Sequence, residues 1–240
     1  MKKNLIVLGL TLAGATGVFG QGSVTLNPHG GVGSVDFHIY GPEADNSRVS
    51  GNVSTTYANT AHAGEFPPGT AVYDGGLIGG NNVGTGTYQQ ANGAAYEVEL
   101  AGVQGTGPVG TANLIPSSTE NFQTTLSGAG GTGNAGWFTA EQIVIPGTSS
   151  VNADTAEMQI YAWYEGSAAQ YTSYANAVAA GVPAGFSDPF SGGTSAPPNT
   201  GALLTGARSF NLTSATPEPS TIALGIMGAS AFLLRRRMSK

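Results

Sequence analysis

Short runs in which apolar and polar residues alternate recur along most of the chain, separated by Gly, Pro, Asn and Asp. Because successive side chains of a strand point to opposite faces, such a run predicts a strand with one apolar face. The clear runs are 35–40, 96–100, 158–164 and 209–213, and the weaker ones are 24–26, 71–78, 122–126 and 137–145. The pattern predicts a mainly β domain of about eight or nine strands, an antiparallel, jelly-roll-like β-sandwich whose sheets each keep one solvated face.

One segment has helical rather than strand spacing. Ser167 and Gln170 fit a capping box, and the residues that follow place apolar side chains at helical intervals. Gly181 suits the left-handed position that ends a helix, and Pro183 prevents continuation. We therefore expect one short helix, over about residues 168–180, laid across an end or an edge of the β-sandwich.

Composition narrows the class of protein. Of 240 residues, 38 are glycine, none is cysteine and 9% are charged. The absence of cysteine excludes a disulfide framework and a thiolate metal site. Between residues 21 and 216 there are two basic residues, Arg48 and Arg208, against thirteen acids, which gives a net charge of −11. A body this acidic, without a basic patch, argues against nucleic-acid binding.

The six remaining basic residues lie at the two ends of the chain, and each end has the pattern of a targeting signal. At the N-terminus Lys2 and Lys3 precede a short apolar run, and small residues then lead to Gly20. A positive region, an apolar region and a small-residue cleavage site are typical of a secretory signal peptide. We predict a signal helix over residues 1–20, removed by signal peptidase between Gly20 and Gln21.

The C-terminal segment, residues 215–240, also has three parts. They are a Pro-Glu-Pro motif, an apolar stretch and a basic cluster, formed by Pro217, Glu218 and Pro219, by residues 221–234, and by Arg235, Arg236 and Arg237. As a helix the apolar stretch is about 21 Å long, so a transmembrane helix needs flanking residues and snorkelling arginines to cross a hydrocarbon core of about 30 Å. The positive-inside rule keeps the arginines cytoplasmic and leaves the body outside.

The order and spacing of these three parts resemble the PEP-CTERM sorting signal of Gram-negative bacteria. The resemblance implies that an exosortase, a membrane cysteine protease and transpeptidase, recognises the tail, and that the protein accompanies exopolysaccharide and biofilm production. The alternative is a plain single-pass membrane anchor. With the tail interpreted as a sorting signal, the chain divides into a signal peptide (1–20), an extracellular β-sandwich domain (21–214) and the sorting signal (215–240).

Candidate catalytic and ligand-binding groups are few. Glu97 and Glu99 lie on one face of one predicted strand, about 6.8 Å apart by strand rise, near the carboxyl separations of glycosidases. The opposite face of that strand is apolar, so we interpret the two glutamates as its solvated side. Trp137 and Trp163 are candidates for glycan contact. The favoured alternative is that Trp163 fills the core of the β-sandwich and Trp137 closes a glycine-rich turn.

Calcium is the metal that the sequence favours, because zinc sites need clustered histidines or cysteines. Oxygen-rich positions in predicted loops and at strand ends are Glu43, Asp45, Asn46, Asp154 and Asp188. They form no calcium-loop motif, so we assign no metal ligands and predict no cofactor. The three histidines are widely separated in sequence and show no metal-binding spacing.

Two functional hypotheses follow from these observations. The first is an exported, non-enzymatic protein of the cell surface or extracellular matrix, associated with exopolysaccharide or the cell envelope. The alternative is a carbohydrate-binding module or carbohydrate-active enzyme with a specific site on the β-sandwich. A concave pocket that gathers polar and aromatic side chains would favour the alternative.

Overall fold

The structure, a computed structural model, describes residues 21–28, 37–52, 73, 74, 76, 78, 95–122, 138, 140–149, 154–166, 168–196 and 199–214. Within these residues the fold is mainly β, with one α-helix, α1 (Tyr174–Ala180), and two 3₁₀ turns, Thr111–Asn113 and Pro116–Ser118. The strands are β1 (Ser23–Leu26), β2 (Ile39–Tyr40), β3 (Tyr96–Gln104), β4 (Glu120–Asn121), β5 (Glu141–Val144), β6 (Thr155–Tyr164), β7 (Ala184–Phe186), β8 (Phe190–Gly193), β9 (Ala202–Leu203) and β10 (Phe210–Asn211).

The strands form three sheets. In the largest, which we call the central sheet, β3 and β6 pair antiparallel over nine residues, β4 extends the β3 side, and β7 and β8 both pair with β6. A second sheet has the order β5-β1-β9, and a third consists of β2 and β10. The predicted antiparallel arrangement holds throughout the central sheet and for β1 with β5, whereas β1–β9 and β2–β10 run parallel.

The inward faces of all three sheets share one apolar core. Alternate residues of β3 and β6 supply its centre, namely Tyr96, Val98, Leu100, Met158 and Ile160, all without exposed surface. The sequence pattern predicted this inward face. The second sheet approaches the first closely, since a Cβ on Gly102 of β3 would lie 2.8 Å from Ile145 Cδ1 beside β5.

The predicted strands appear in part. Runs 96–100 and 158–164 are confirmed and extend further as β3 and β6, while the described part of run 35–40, residues 37–40, contributes β2. Strands β7, β8 and β9 were not predicted, because their Gly-, Ser- and Ala-rich sequence resembles a loop. Half of run 71–78, and all of run 122–126 except Phe122, lies outside the described residues.

The helix is shorter than predicted and begins six residues later. Ala169 adopts φ 51°, a left-handed conformation that a helix cannot include, so the chain turns at the predicted start. Ser173 is the actual N-cap, and its Oγ accepts a hydrogen bond from the Asn176 N–H. The predicted end is confirmed, because Gly181 closes the helix at φ 73°.

No helix among the described residues is long and apolar enough to cross a membrane. The predicted signal helix over residues 1–20 and the predicted transmembrane helix lie outside those residues. So do Pro217, Glu218, Pro219, Arg235, Arg236 and Arg237.

Asn211 of β10 fixes the neighbouring loop to the fold. Its Oδ1 accepts a hydrogen bond from the Val49 N–H at 2.7 Å, its Nδ2 donates to the Ser47 carbonyl at 2.8 Å, and the residue is buried. Asn211→Ala leaves both backbone groups without this partner, so we expect the free energy of unfolding to fall by about 2–3 kcal/mol. Urea denaturation followed by circular dichroism measures the change.

Asn199→Ala is the matched control for this prediction, because that residue is exposed. We expect its free energy of unfolding to stay within about 0.5 kcal/mol of wild type. Equal effects of the two substitutions would show that Asn211 does not hold the loop.

Candidate functional site

The face of the central sheet that points away from the core carries carboxyl and aromatic side chains in register. We call this the outer face. Glu97 of β3 lies opposite Trp163 of β6, and Glu99 lies opposite Tyr161. Tyr161 in turn lies opposite Phe186 of β7. Directly opposed side chains on antiparallel strands lie about 4.5–5.5 Å apart at Cβ, so these residues form contiguous rows.

Helix α1 and the chain around it pack on the Trp163 end of the outer face. Trp163 forms a second apolar cluster with Ala177, Val182 and Ala184. Its Nε1–H donates to the Tyr171 carbonyl at 2.8 Å, and the residue is 1% exposed. This tryptophan, a sequence candidate for glycan contact, is therefore occupied with packing in the structure. The other candidate, Trp137, lies outside the described residues.

Tyrosine rings continue this packing along the outer face. The Tyr174 ring of α1 meets Tyr161 edge to face at 4.8 Å between centroids. Burial, with a smaller effect of Tyr161, raises the pKa of Tyr174 to about 12. The Tyr161 hydroxyl donates to Gln159 Oε1 at 2.6 Å. The rings are thus neutral at physiological pH, and they are fixed by packing and hydrogen bonds.

The two glutamates of β3 are not the solvated side that the sequence suggested. Glu99 is 6% exposed, and Glu97 is half-buried. Burial raises the pKa of Glu99 above its ordinary value. The interpretation from alternation was wrong here, because the outer face of β3 is covered rather than open to water.

Glu97 has the most perturbed carboxyl group of the outer face. Burial, the charge of Glu165, a hydrogen bond with Glu165 and the charge of Glu99 together raise the pKa of Glu97 from 4.5 to about 7. Near neutral pH, Glu97 is therefore partly protonated, and its side chain is hydrogen-bonded to that of Glu165. Two carboxyl groups that share a proton are able to take part in acid–base chemistry or to control stability through pH.

A second carboxyl pair lies between the central sheet and the second sheet. Glu120 belongs to β4 and Glu141 to β5. Burial, a hydrogen bond with Glu141 and the charge of Glu141 raise the pKa of Glu120. The fold thus contains two glutamate pairs in which protonation of one partner relieves repulsion.

These pairs predict a protein that is more stable in mild acid. A glutamate whose folded pKa is raised stays protonated between pH 4.5 and about 7, where the unfolded chain has already lost the proton. The stability that Glu97 contributes is therefore fully present below pH 4.5 and is lost as the pH rises through about 7. We expect Glu97 to contribute about 1–2 kcal/mol of this loss, because one pKa unit corresponds to about 1.4 kcal/mol and partial exposure screens the interaction. Thermal unfolding between pH 4 and 8 measures it.

Glu97→Gln tests the origin of this pH dependence. Glutamine resembles the protonated carboxyl and keeps a donor for Glu165, so the variant should be as stable as wild type in acid and more stable at pH 8. Glu157→Gln changes the net charge equally on the same sheet face, and it should keep the wild-type slope. A Glu97→Gln variant with the wild-type slope would contradict the assignment.

An ion pair lies next to Phe186 of the outer face. The Arg48 guanidinium donates to Asp188 Oδ1 at 2.6 Å and lies 4.8 Å from the centroid of the Phe186 ring. The Ser50 hydroxyl donates to Asp188 Oδ2. Although burial alone would raise it, the pKa of Asp188 is lowered by these hydrogen bonds and the Arg48 charge. Both partners are over a third exposed, so the pair adds at most about 1 kcal/mol.

The calcium candidates do not converge. Glu43 Oε2 accepts from the Asp74 N–H, Asp45 Oδ1 from the Ser47 N–H, and Asp154 Oδ2 from the Ser149 N–H. Asn46 exchanges hydrogen bonds with the backbone of Ser214, and Asp188 binds Arg48. In the ranges that the structure describes, no group of three or more acids and histidines is placed to hold a metal ion.

The sequence did not identify Glu165 as a partner of Glu97. Glu165 follows β6 directly. It stands at no motif spacing from Glu97, so no local signal joins the two residues. The available signal was the alternation of β6, which placed Tyr161 and Trp163 on the side opposite the core.

Comparison of the chain with family models, curated proteins and solved structures gives no match.

Proposed function

We propose that this chain is an exported, non-enzymatic protein of the cell envelope or extracellular polysaccharide matrix, sorted through its C-terminal PEP-CTERM-like signal. The observation that carries the proposal is the three-part tail, residues 215–240, in a chain that begins with a signal-peptide pattern. Signal peptidase and an exosortase are its processing partners. The membrane is a partner through the C-terminal helix until the tail is removed.

Hydrogen bonds near the two proposed boundaries support this division. The Gly22 N–H donates to Thr148 Oγ1 at 2.8 Å, and the Gly22 carbonyl accepts from the Ile145 N–H. At the other end, Ser214 exchanges hydrogen bonds with the Asn46 side chain. Gly22 and Ser214, which lie just inside the two proposed boundaries, are thus both held to the fold by hydrogen bonds. An ectodomain of residues 21–214 keeps all of these contacts.

The shared core supports a β-sandwich for the ectodomain. Val24 and Leu26 of β1 and Ile143 of β5 belong to the same apolar cluster as the inward residues of β3 and β6. Two sheets that bury a common layer of side chains define a sandwich. The two parallel pairs, β1–β9 and β2–β10, distinguish it from a purely antiparallel jelly roll.

The charge pattern supports a hydrated, uncharged polymer as the surrounding medium. The ectodomain carries two basic side chains, and Arg48 is paired with Asp188. A net charge of −11 between residues 21 and 216 repels acidic polymers and nucleic acids. Neutral or weakly charged exopolysaccharide is the matrix component most compatible with this surface.

The test uses the sorting motif. In the native host, a variant with Pro217→Ala, Glu218→Ala and Pro219→Ala keeps the apolar stretch and the arginines. We expect wild type to lose its tail, whereas this variant is exported and stays in the membrane at full length. Thr213→Ala, outside the motif, serves as the control and should be processed normally. Identical processing of the triple variant and wild type would contradict sorting through the motif.

A carbohydrate-active site is the second candidate, and one observation favours it. Glu97, with a pKa of about 7 and two neighbouring carboxyl groups, lies beside the tyrosine and tryptophan rings of the outer face. Carboxyl groups with raised pKa values serve as general acids in glycoside hydrolysis. If this face acts on host exopolysaccharide, Glu97→Gln abolishes release of reducing ends, whereas Glu157→Gln does not. No release by wild type would reject this candidate and leave the first proposal standing.

A further inference from the structure

We propose that the exported chain carries a pyroglutamate at its N-terminus, formed from Gln21. The inference rests on the proposed function, because Gln21 becomes the first residue only when signal peptidase cuts after Gly20. It concerns a modification of the mature chain, which the sorting signal does not imply.

The structure leaves Gln21 free while fixing the residue after it. Gln21 is exposed, and no hydrogen bond or ion pair within the described part of the chain involves its side chain. Gly22, in contrast, donates to Thr148 Oγ1 and accepts from the Ile145 N–H. A Cβ on Gly22 would lie 2.3 Å from Thr194 Oγ1, so the chain is tightly enclosed at that point. The exposed residue next to this enclosed glycine is therefore the one that has to react.

The reaction needs only groups that Gln21 itself provides. The α-amino group has a pKa near 8, so a substantial fraction is neutral at the pH of the medium. Its nitrogen forms a bond to Cδ of the side-chain amide, and the bond between Cδ and Nε2 then breaks. Ammonia leaves and takes up the proton that the amine releases. The product is a neutral five-membered lactam, and no oxidant, reductant or other reactant is required.

Cyclisation matters because of the strand that follows. Strand β1 starts at Ser23 and is the middle strand of the β5-β1-β9 sheet. The Ser23 N–H donates to the Ser195 carbonyl at 2.9 Å, and the Ser195 N–H donates back at 2.8 Å. An aminopeptidase that removed Gln21 and Gly22 would reach this pairing at once. A lactam removes the free amine that such enzymes require. It therefore protects β1, the middle strand of the β5-β1-β9 sheet, outside the cell.

The test is a mass measurement of the N-terminal peptide of the full protein isolated from the native host. We expect a peptide that starts at residue 21 with the mass of one ammonia missing. N-terminal sequencing should read nothing until pyroglutamyl aminopeptidase is added, and should then read from Gly22. A synthetic peptide of residues 21–28, added at the start of the preparation, measures the cyclisation that occurs during handling, and the cyclised fraction of the exported protein should exceed it; equal fractions would overturn the inference. The variant Gln21→Ala should be readable from its first residue.

The outcomes separate this inference from the export proposal. A chain that starts at Gln21 with a free amine and an intact amide overturns the inference and leaves export standing. A chain that starts at Met1, or elsewhere within residues 1–20, overturns the inference together with the predicted cleavage.

Discussion

Gly185→Ala is expected to lower the free energy of unfolding by about 3 kcal/mol or more, because overpacking against backbone cannot be relieved by a rotamer change. Gly185 lies in β7, and a Cβ there would sit 2.6 Å from the Asn211 carbonyl oxygen and 3.0 Å from Leu212 Cα. Those atoms are themselves held, since the Leu212 N–H donates to the Tyr40 carbonyl at 2.8 Å. The added methyl group would therefore separate β10 from β7, or, if β10 stayed close to β7, would disturb the contact of β10 with β2.

Gly193→Ala is the matched control, since Gly193 also lies in a short strand beside β6, and a Cβ there would meet nothing within 4 Å. We expect a change within about 0.5 kcal/mol. Chemical denaturation of the exported protein compares the two variants. A Gly185→Ala protein as stable as the control would contradict the close contact between β7 and β10. It would also contradict the packing of the C-terminal strand β10 against the rest of the fold.

Trp163→Ala is expected to cost about 3–5 kcal/mol, the range for removing a large aromatic residue from a core. The substitution removes the centre of the cluster with Ala177, Val182 and Ala184, and leaves the Tyr171 carbonyl without its donor. Helix α1 loses its main contact with the outer face. The measurement is the midpoint and slope of urea denaturation, with far-ultraviolet circular dichroism to follow the helix.

Trp163→Phe separates the two contributions, because it keeps most of the ring volume and removes the Nε1–H. We expect a smaller loss, about 1–3 kcal/mol, which reflects the unpaired carbonyl and the reduced contact. If Trp163→Ala changed affinity for exopolysaccharide without changing stability, the assignment of this side chain to packing would be wrong.

The sequence predicts the long central strands because their alternation is strong. Both β3 and β6 bury four successive inward positions, residues 96, 98, 100 and 102 and residues 156, 158, 160 and 162, and the period of two identifies that face from local residues alone. Strands β7, β8 and β9 have two to four residues each. Strands this short are stabilised by their pairing partners rather than by their own propensity. Gly185 illustrates the difficulty, since it permits close packing where a sequence pattern suggests a loop.

Of the candidate site, the sequence predicted the two glutamates of β3 but not their surroundings. Alternation places Glu97 and Glu99 on one face, but whether that face meets water depends on elements elsewhere in the chain. Glu99 is buried, and the partner that raises the pKa of Glu97 is Glu165, at the far end of the neighbouring strand. Antiparallel pairing of β3 with β6 brings Glu97 and Glu165 together, and that register is a tertiary property.

The start of α1 shows a similar competition between local and tertiary signals. The residues from Ser167 to Gln170 fit a capping box, and alanine favours a helix. In the fold, the Tyr171 N–H donates to the Glu165 carbonyl, and the intervening chain turns through Gly166 and Ala169 at positive φ. That turn places the Tyr171 carbonyl where it accepts from Trp163. Packing of the tryptophan therefore outweighs helix propensity at these positions.

The mass of the C-terminal peptide, measured on protein isolated separately from the envelope and from the medium of the native host, shows whether the tail acts as a sorting signal. Export with sorting through the tail predicts a chain that ends near residues 217–220 and lacks Arg235, Arg236 and Arg237. A full-length chain that ends at Lys240 in every fraction would contradict sorting by an exosortase.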